Sequence, residues 1–154
     1  MTKPLAILSV ALALVFAACG AVAEVVPSGV RSLVTVEQHG GRCADLGECR
    51  TTMSLNSDGT VTGDAKPPNV MGTMTPGVLA QLQAAIAQTD FSTLDDTPFT
   101  GTCPTAVDGQ EIVFTFHLAS GDVRLASCEV ELDPDAPIFR AVMLAMQAGV
   151  GPSN

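Results

Sequence analysis

Four bulky apolar residues at strict two-residue spacing, Ile112, Phe114, Phe116 and Leu118, put the tightest constraint on how this chain of 154 residues folds. Successive side chains on a strand point to opposite faces, so the pattern predicts an extended segment over Gln110–Leu118 with one face buried. A helix would scatter the same four residues around its axis. Ser120-Gly121-Asp122 then turns the chain, and Val123–Leu132 reads as the returning partner strand. A second hairpin precedes it. Arg50–Asn56 carries Met53 and Leu55 on one side and Thr52 and Ser54 on the other. Ser57-Asp58-Gly59 supplies its turn, and Thr60–Asp64 continues as the partner. Upstream, Val30–Gln38 places Val30, Val34 and Val36 on one parity and stops at Gly40-Gly41.

Two segments follow a helical period instead. Lys66-Pro67-Pro68-Asn69 breaks the sheet, and Val70-Met71-Gly72-Thr73-Met74 reads as an apolar loop. Thr75-Pro76 then opens a helix, with Thr as N-cap and Pro at the first helical position. Val78, Leu79, Leu82, Ala85 and Ile86 form its stripe, and Phe91 and Leu94 return to the core. Asp95 to Val107 is irregular. Asp135-Ala136-Pro137 repeats the helix-opening chemistry, with Asp135 as the expected N-cap. Ile138, Phe139, Val142, Met143 and Met146 make the second stripe, and Gly149 is the expected C-cap. The order β-β-β-α-β-β-α predicts one α+β domain over residues 30–149, followed by a short tail, 150–154. It would be an antiparallel sheet of about five strands with two helices on one face. A small barrel or sandwich with helical edges is the alternative.

The first 18 residues read as a signal peptide: Lys3 gives a positive start, and residues 5–18 are apolar apart from Ser9. That stretch is short for a membrane-spanning helix, which needs about 20 residues. It ends in Phe16-Ala17-Ala18-Cys19-Gly20, which resembles the lipobox of bacterial lipoproteins, with Phe16 where Leu is usual. The resemblance implies that Cys19 becomes the lipidated first residue and that residues 19–29 form a tether. Ala21-Val22-Ala23 offers a rival cleavage site before Glu24 and with it soluble secretion. Removing Cys19 leaves Cys43, Cys49, Cys103 and Cys128, an even set that fits an exported, disulfide-bonded protein. Four cysteines allow three connectivities, of which we favour Cys43–Cys49 and Cys103–Cys128. There is no C-x-x-C, and His39 and His117 are the only histidines, so zinc is disfavoured.

Composition narrows the chemistry. Seven Lys and Arg stand against 16 Asp and Glu, which argues against nucleic acid, where affinity comes from neutralising phosphates. Trp and Tyr are absent, removing the usual stacking platforms. No G-x-S-x-G motif marks a serine hydrolase, and His39-Gly40-Gly41 reads as a turn after a strand rather than as an oxyanion loop. His117 alternates with Phe116 and Leu118, so it lies off the core face as a solvated strand histidine. An EF-hand aligned on Gly59 fails, because Ser54 and Ala65 fall at its first and last positions. Asp95-Asp96 and Glu131, Asp133 and Asp135 read as solvated acidic clusters. No cofactor is implied. Met71 and Met74 either fold over the core or join Leu144, which lies opposite the second helical stripe, in a partner surface.

The run Gly41-Arg42-Cys43 to Thr52, then Asn56-Ser57-Asp58-Gly59-Thr60-Val61 and Thr75-Pro76 to Phe91, is similar to uncharacterised domains of small bacterial lipoproteins. Residues 76–148 also resemble emfourin, a proteinaceous inhibitor of metalloproteases, in their helix–strand–hairpin–helix order. The expectation is a non-enzymatic binding module at the bacterial cell envelope. Its partners would be the lipid bilayer, through Cys19, and an envelope protein, but not nucleic acid. The resemblances place it on the cell membrane or outer envelope, facing away from the cytoplasm. A protease inhibitor is the second reading and a hydrolase the third. Mass spectrometry of the mature N-terminus is expected to find Cys19 carrying more than one acyl chain, since a single chain binds membranes only marginally. An unmodified chain beginning at Glu24 would refute this.

Overall fold

The structure, a computed structural model, describes residues 29–41 and 49–149. Its strands are β1 (Ser32–Gly40), β2 (Arg50–Asn56), β3 (Thr60–Gly63), β4 (Val70–Thr73), β5 (Gln110–Leu118) and β6 (Gly121–Ala126). Its helices are α1 (Pro76–Gln88) and α2 (Pro137–Gln147). The six strands form one sheet in the order β4-β3-β2-β1-β5-β6, with every neighbouring pair antiparallel. The first four make a meander. The chain then crosses through α1 to the far side of β1, where β5 and β6 add a hairpin.

Alternation builds the core. Val34 stands between Leu55 and Phe116 across its two ladders, and Val36 stands between Met53 and Phe114. Leu125 continues the row beside Phe114. All are buried, and both helices close over this face: Leu82 from α1 and Ile138, Phe139, Val142, Ala145 and Met146 from α2 join one apolar cluster. Phe116 lies within ring contact of Phe91, with centroids 4.8 Å apart, and Phe114 reaches Phe139 at 5.1 Å. The fold is thus α+β, an antiparallel sheet with two helices on one face.

Four local expectations are corrected. Residues 70–73, read as a loop, form the sixth strand: Thr73 and Gly72 pair with Thr60 and Val61, and a bulge then sets Val70 against Thr62. The prolines before it break the ladder for a few residues without ending the sheet. The strand expected to run to Leu132 stops at Ala126, because Cys128 is drawn to Cys103 and Val130 bridges to Pro98 instead. Asp135 is not an N-cap. Ala136 holds that position with no side-chain bond, while the Asp133 carboxylate accepts the Asp135 N–H at 2.9 Å. Met143, assigned to the buried stripe, points outward. Thr75 caps α1 as expected, its hydroxyl accepting from the Val78 N–H.

Gly149 follows the C-cap Ala148 and serves packing: a Cβ there would lie 2.5 Å from Val61 Cγ1. Gly72 does the same from the sheet, where a Cβ would collide with the Ala148 carbonyl oxygen. These two bare backbones let the end of α2 seat on β3 and β4. Gly72→Ala should therefore cost about 1–3 kcal/mol, the usual range for overpacking, because backbone blocks the new methyl. Gly77→Ala, in the first turn of α1 with no atom within 4 Å of the added Cβ, should be neutral or gain up to about 1 kcal/mol. Urea melts of the two variants check the contrast.

Candidate functional site

The sheet face opposite the helices carries the other parity. Thr62, Ser54, Thr35, Thr115 and Arg124 stand side by side across five strands. Neighbouring strands lie about 4.8 Å apart, so four hydroxyls form a nearly straight row ending in a guanidinium. Asn56 sits at one margin, its amide donating to the Thr60 and Thr62 hydroxyls at 3.1 and 3.2 Å. At the other end Val113 and Ala126 share this parity and are buried, so the open area is bounded there. The Arg124–Glu129 ion pair lies close by.

His117 joins two strands of this face. Its Nε2 lies 2.9 Å from Thr35 Oγ1, and its Nδ1 lies 3.0 Å from Asp122 Oδ1. An ionised carboxylate only accepts hydrogen bonds, so Nδ1 carries the proton. In the neutral ring Nε2 then accepts from the Thr35 hydroxyl. Ser32 Oγ stands 3.5 Å from the same oxygen. The result is a hydroxyl, an imidazole and a carboxylate in line, on rigid strands. The expected off-core position of His117 holds, but its ring is fixed by two partners.

A second group sits at the end of β1. The Glu37 carboxylate accepts from the Arg50 guanidinium and lies 3.0 Å from His39 Nε2. Glu111 pairs with His39 across the ladder. His39, Arg50 and Glu111, with Gly40, Gly41, Cys49 and Thr105, border a cavity of about 390 Å³. Exposed ion pairs of this kind contribute at most about 1 kcal/mol, so the group shapes the rim more than it stabilises the fold. A second hollow of about 290 Å³ lies between the end of α1 and the start of α2. Asp90 borders it, its carboxyl held below the usual range first by the Ser92 hydroxyl and then by the Ser92 N–H. Among the described residues, no three His, Cys, Asp or Glu side chains are grouped to hold a metal ion.

The proposed partner surface is divided. Met71 and Leu144 are each 38% exposed, whereas Met74 is 4% exposed and belongs to the core. Met74 is removed from that surface, because its N–H is bonded to the Gly59 carbonyl and its side chain lies under the meander. The exposed pair falls at one corner. Gly72 touches the end of α2 at Ala148, and Leu144 precedes Ala148 by four residues, on the same side of the helix. Thr35 and Asp122 were not singled out from sequence. Their signal was parity: Thr35 alternates with Val34 and Val36, but its pairing with β5 is a tertiary fact. No protein-family model matches the chain, and a search of curated proteins finds no match.

Cys103 and Cys128 are joined, with a sequence separation of 25 and Cα atoms 5.1 Å apart. Cys49 is disulfide-bonded too. Cys19 and Cys43 lie outside the described residues. Loop-closure entropy gives at most about 3.5 kcal/mol for the long bridge and about 2.3 kcal/mol for the short Cys43–Cys49 pairing we favour. A Cys103→Ser/Cys128→Ser variant should consequently melt several degrees below a Cys43→Ser/Cys49→Ser variant. Equal melting shifts would contradict the ordering.

Proposed function

We propose that this chain is an exported, lipid-anchored interaction module of the bacterial cell envelope that docks a protein partner at the β4–α2 corner. The supporting observation is the asymmetry of the two sheet edges. β6 carries Asp122 and Arg124, the kind of charge that discourages strand addition, whereas Val70-Met71-Gly72-Thr73 in β4 has none. Of the five large apolar residues exposed among the described ones, Val70 and Met71 lie on β4, and Met143 and Leu144 lie on the outer side of α2. An open edge beside apolar side chains suits β-augmentation. The partner adds an extended segment by main-chain bonds, and its side chains rest on Met71 and Leu144. The Cys19 anchor holds the module at the membrane surface, where the partner is met.

The test is capture of envelope protein by the purified chain and by Met71→Lys/Leu144→Lys. Both positions are exposed, so stability should change by no more than about 0.5 kcal/mol per site. Loss of the retained protein with an unchanged melt supports the corner. Undiminished retention by the variant rejects it.

A further inference from the structure

We propose that Thr35 is an acyl-acceptor site, taking an acyl group from an activated ester or thioester. The inference goes beyond the docking role and rests on the Thr35–His117–Asp122 line. Three observations carry it. The hydroxyl points at an imidazole nitrogen 2.9 Å away, within reach for proton transfer. The far side of the ring is held by Asp122, which fixes the tautomer that leaves Nε2 free to accept the proton. The nucleophile sits on β1, bonded on both sides within the sheet, and its β-branched side chain is stiff at χ1. The His117 side chain is 29% exposed and that of Asp122 61%, so a small acyl donor can approach the face from solvent.

The step balances without a redox partner. The Thr35 oxygen bonds to the carbonyl carbon of the donor, and its proton passes to His117 Nε2. The carbon–oxygen or carbon–sulfur bond to the leaving group breaks, and the imidazolium returns the proton to the departing atom. The products are a threonyl ester and a free alcohol or thiol.

Magnitudes decide what kind of donor works. A positioned general base contributes about 10²–10⁴ in rate. Lack of one oxyanion donor typically costs about 10²–10³. Backbone N–H groups of β1 and β5 are committed to the ladders, so the face offers hydroxyls such as Thr115 in their place. That loss cancels most of the gain for an ordinary ester and leaves donors with a good leaving group. Once formed, the threonyl ester has a poor leaving group and persists. The site therefore accepts one acyl group and holds it, which fits a binding module rather than a turnover hydrolase.

The full chain is incubated with p-nitrophenyl acetate. Release of p-nitrophenolate is followed by absorbance, and the acetyl group is located by peptide mass mapping. One equivalent should be released in a burst, with the acetyl group on the peptide containing Thr35. Thr35→Val should abolish the stable adduct and Thr35→Ser should retain it. His117→Gln should slow the burst about 100-fold. Asp122→Asn, an exposed change that spares the fold, offers Nδ1 an amide donor and shifts the ring proton to Nε2, so it should slow the burst by at least tenfold. Acetyl found only on other residues, a Thr35 adduct formed equally fast in His117→Gln and Asp122→Asn, or steady release that survives Thr35→Val would each overturn the proposal.

Discussion

The burial of Phe116 holds this structure together. It is fully buried in β5, beside the central strand, touching Phe91 from the segment after α1 and neighbouring Phe114, which reaches Phe139 of α2. A large aromatic side chain contributes several kcal/mol of burial, and truncation of such a residue typically costs about 3–5 kcal/mol. Its effect is also geometric. Because strand side chains alternate, fixing Phe116 inward fixes Thr115 and His117 outward. The open face is the obligatory reverse of the core, and its register comes from the same ladder that sets Val34 against Phe116. A slip of one residue between β1 and β5 would bury Thr35 and separate it from His117.

That link explains which features were legible in sequence. Ile112, Phe114, Phe116 and Leu118 announced both the strand and its buried side, and the Thr75-Pro76 pair announced α1. The α+β class and the single-sided placement of the helices followed from those periods. β4 was missed because Val70-Met71-Gly72-Thr73 is four residues long, includes a glycine and has no alternation to detect. Its bulge against β3 breaks what pattern remains. Asp135 looked like a cap because Asp before Ala-Pro is good capping chemistry. Asp133 instead bonds the Asp135 N–H in the turn ahead of the helix, and Ala136 stands at the helix entrance with no side-chain cap. The triad-like line was illegible for a different reason. Its members come from β1, β5 and the start of β6, and only strand order brings Thr35 to His117.

The irregular stretch between Leu94 and Gln110 needs a separate account, since it has no period to bury. It is held by backbone bonds from the Phe99 N–H to the Glu129 carbonyl and from the Glu131 N–H to the Thr97 carbonyl, together with the Cys103–Cys128 bridge. The stretch therefore runs beside the residues after β6, as an extension of the sheet by other means. This also explains why β6 ends early: its continuation is spent on that segment rather than on β5.

The net charge bears on the open edge of β4. An uncharged edge strand with exposed Val70 and Met71 invites pairing with a second copy. Two chains each carrying a formal charge of −9 repel each other, and at physiological salt that repulsion acts once their surfaces come within about 8 Å. The barrier to self-association is thus spread over the whole molecule instead of being placed on the edge, as it is on β6 with Asp122 and Arg124. A neutral or basic partner meets no such barrier. In the proposed docking, charge distributed in this way leaves the β4 edge chemically plain and favours a neutral or basic occupant over a second copy of the chain.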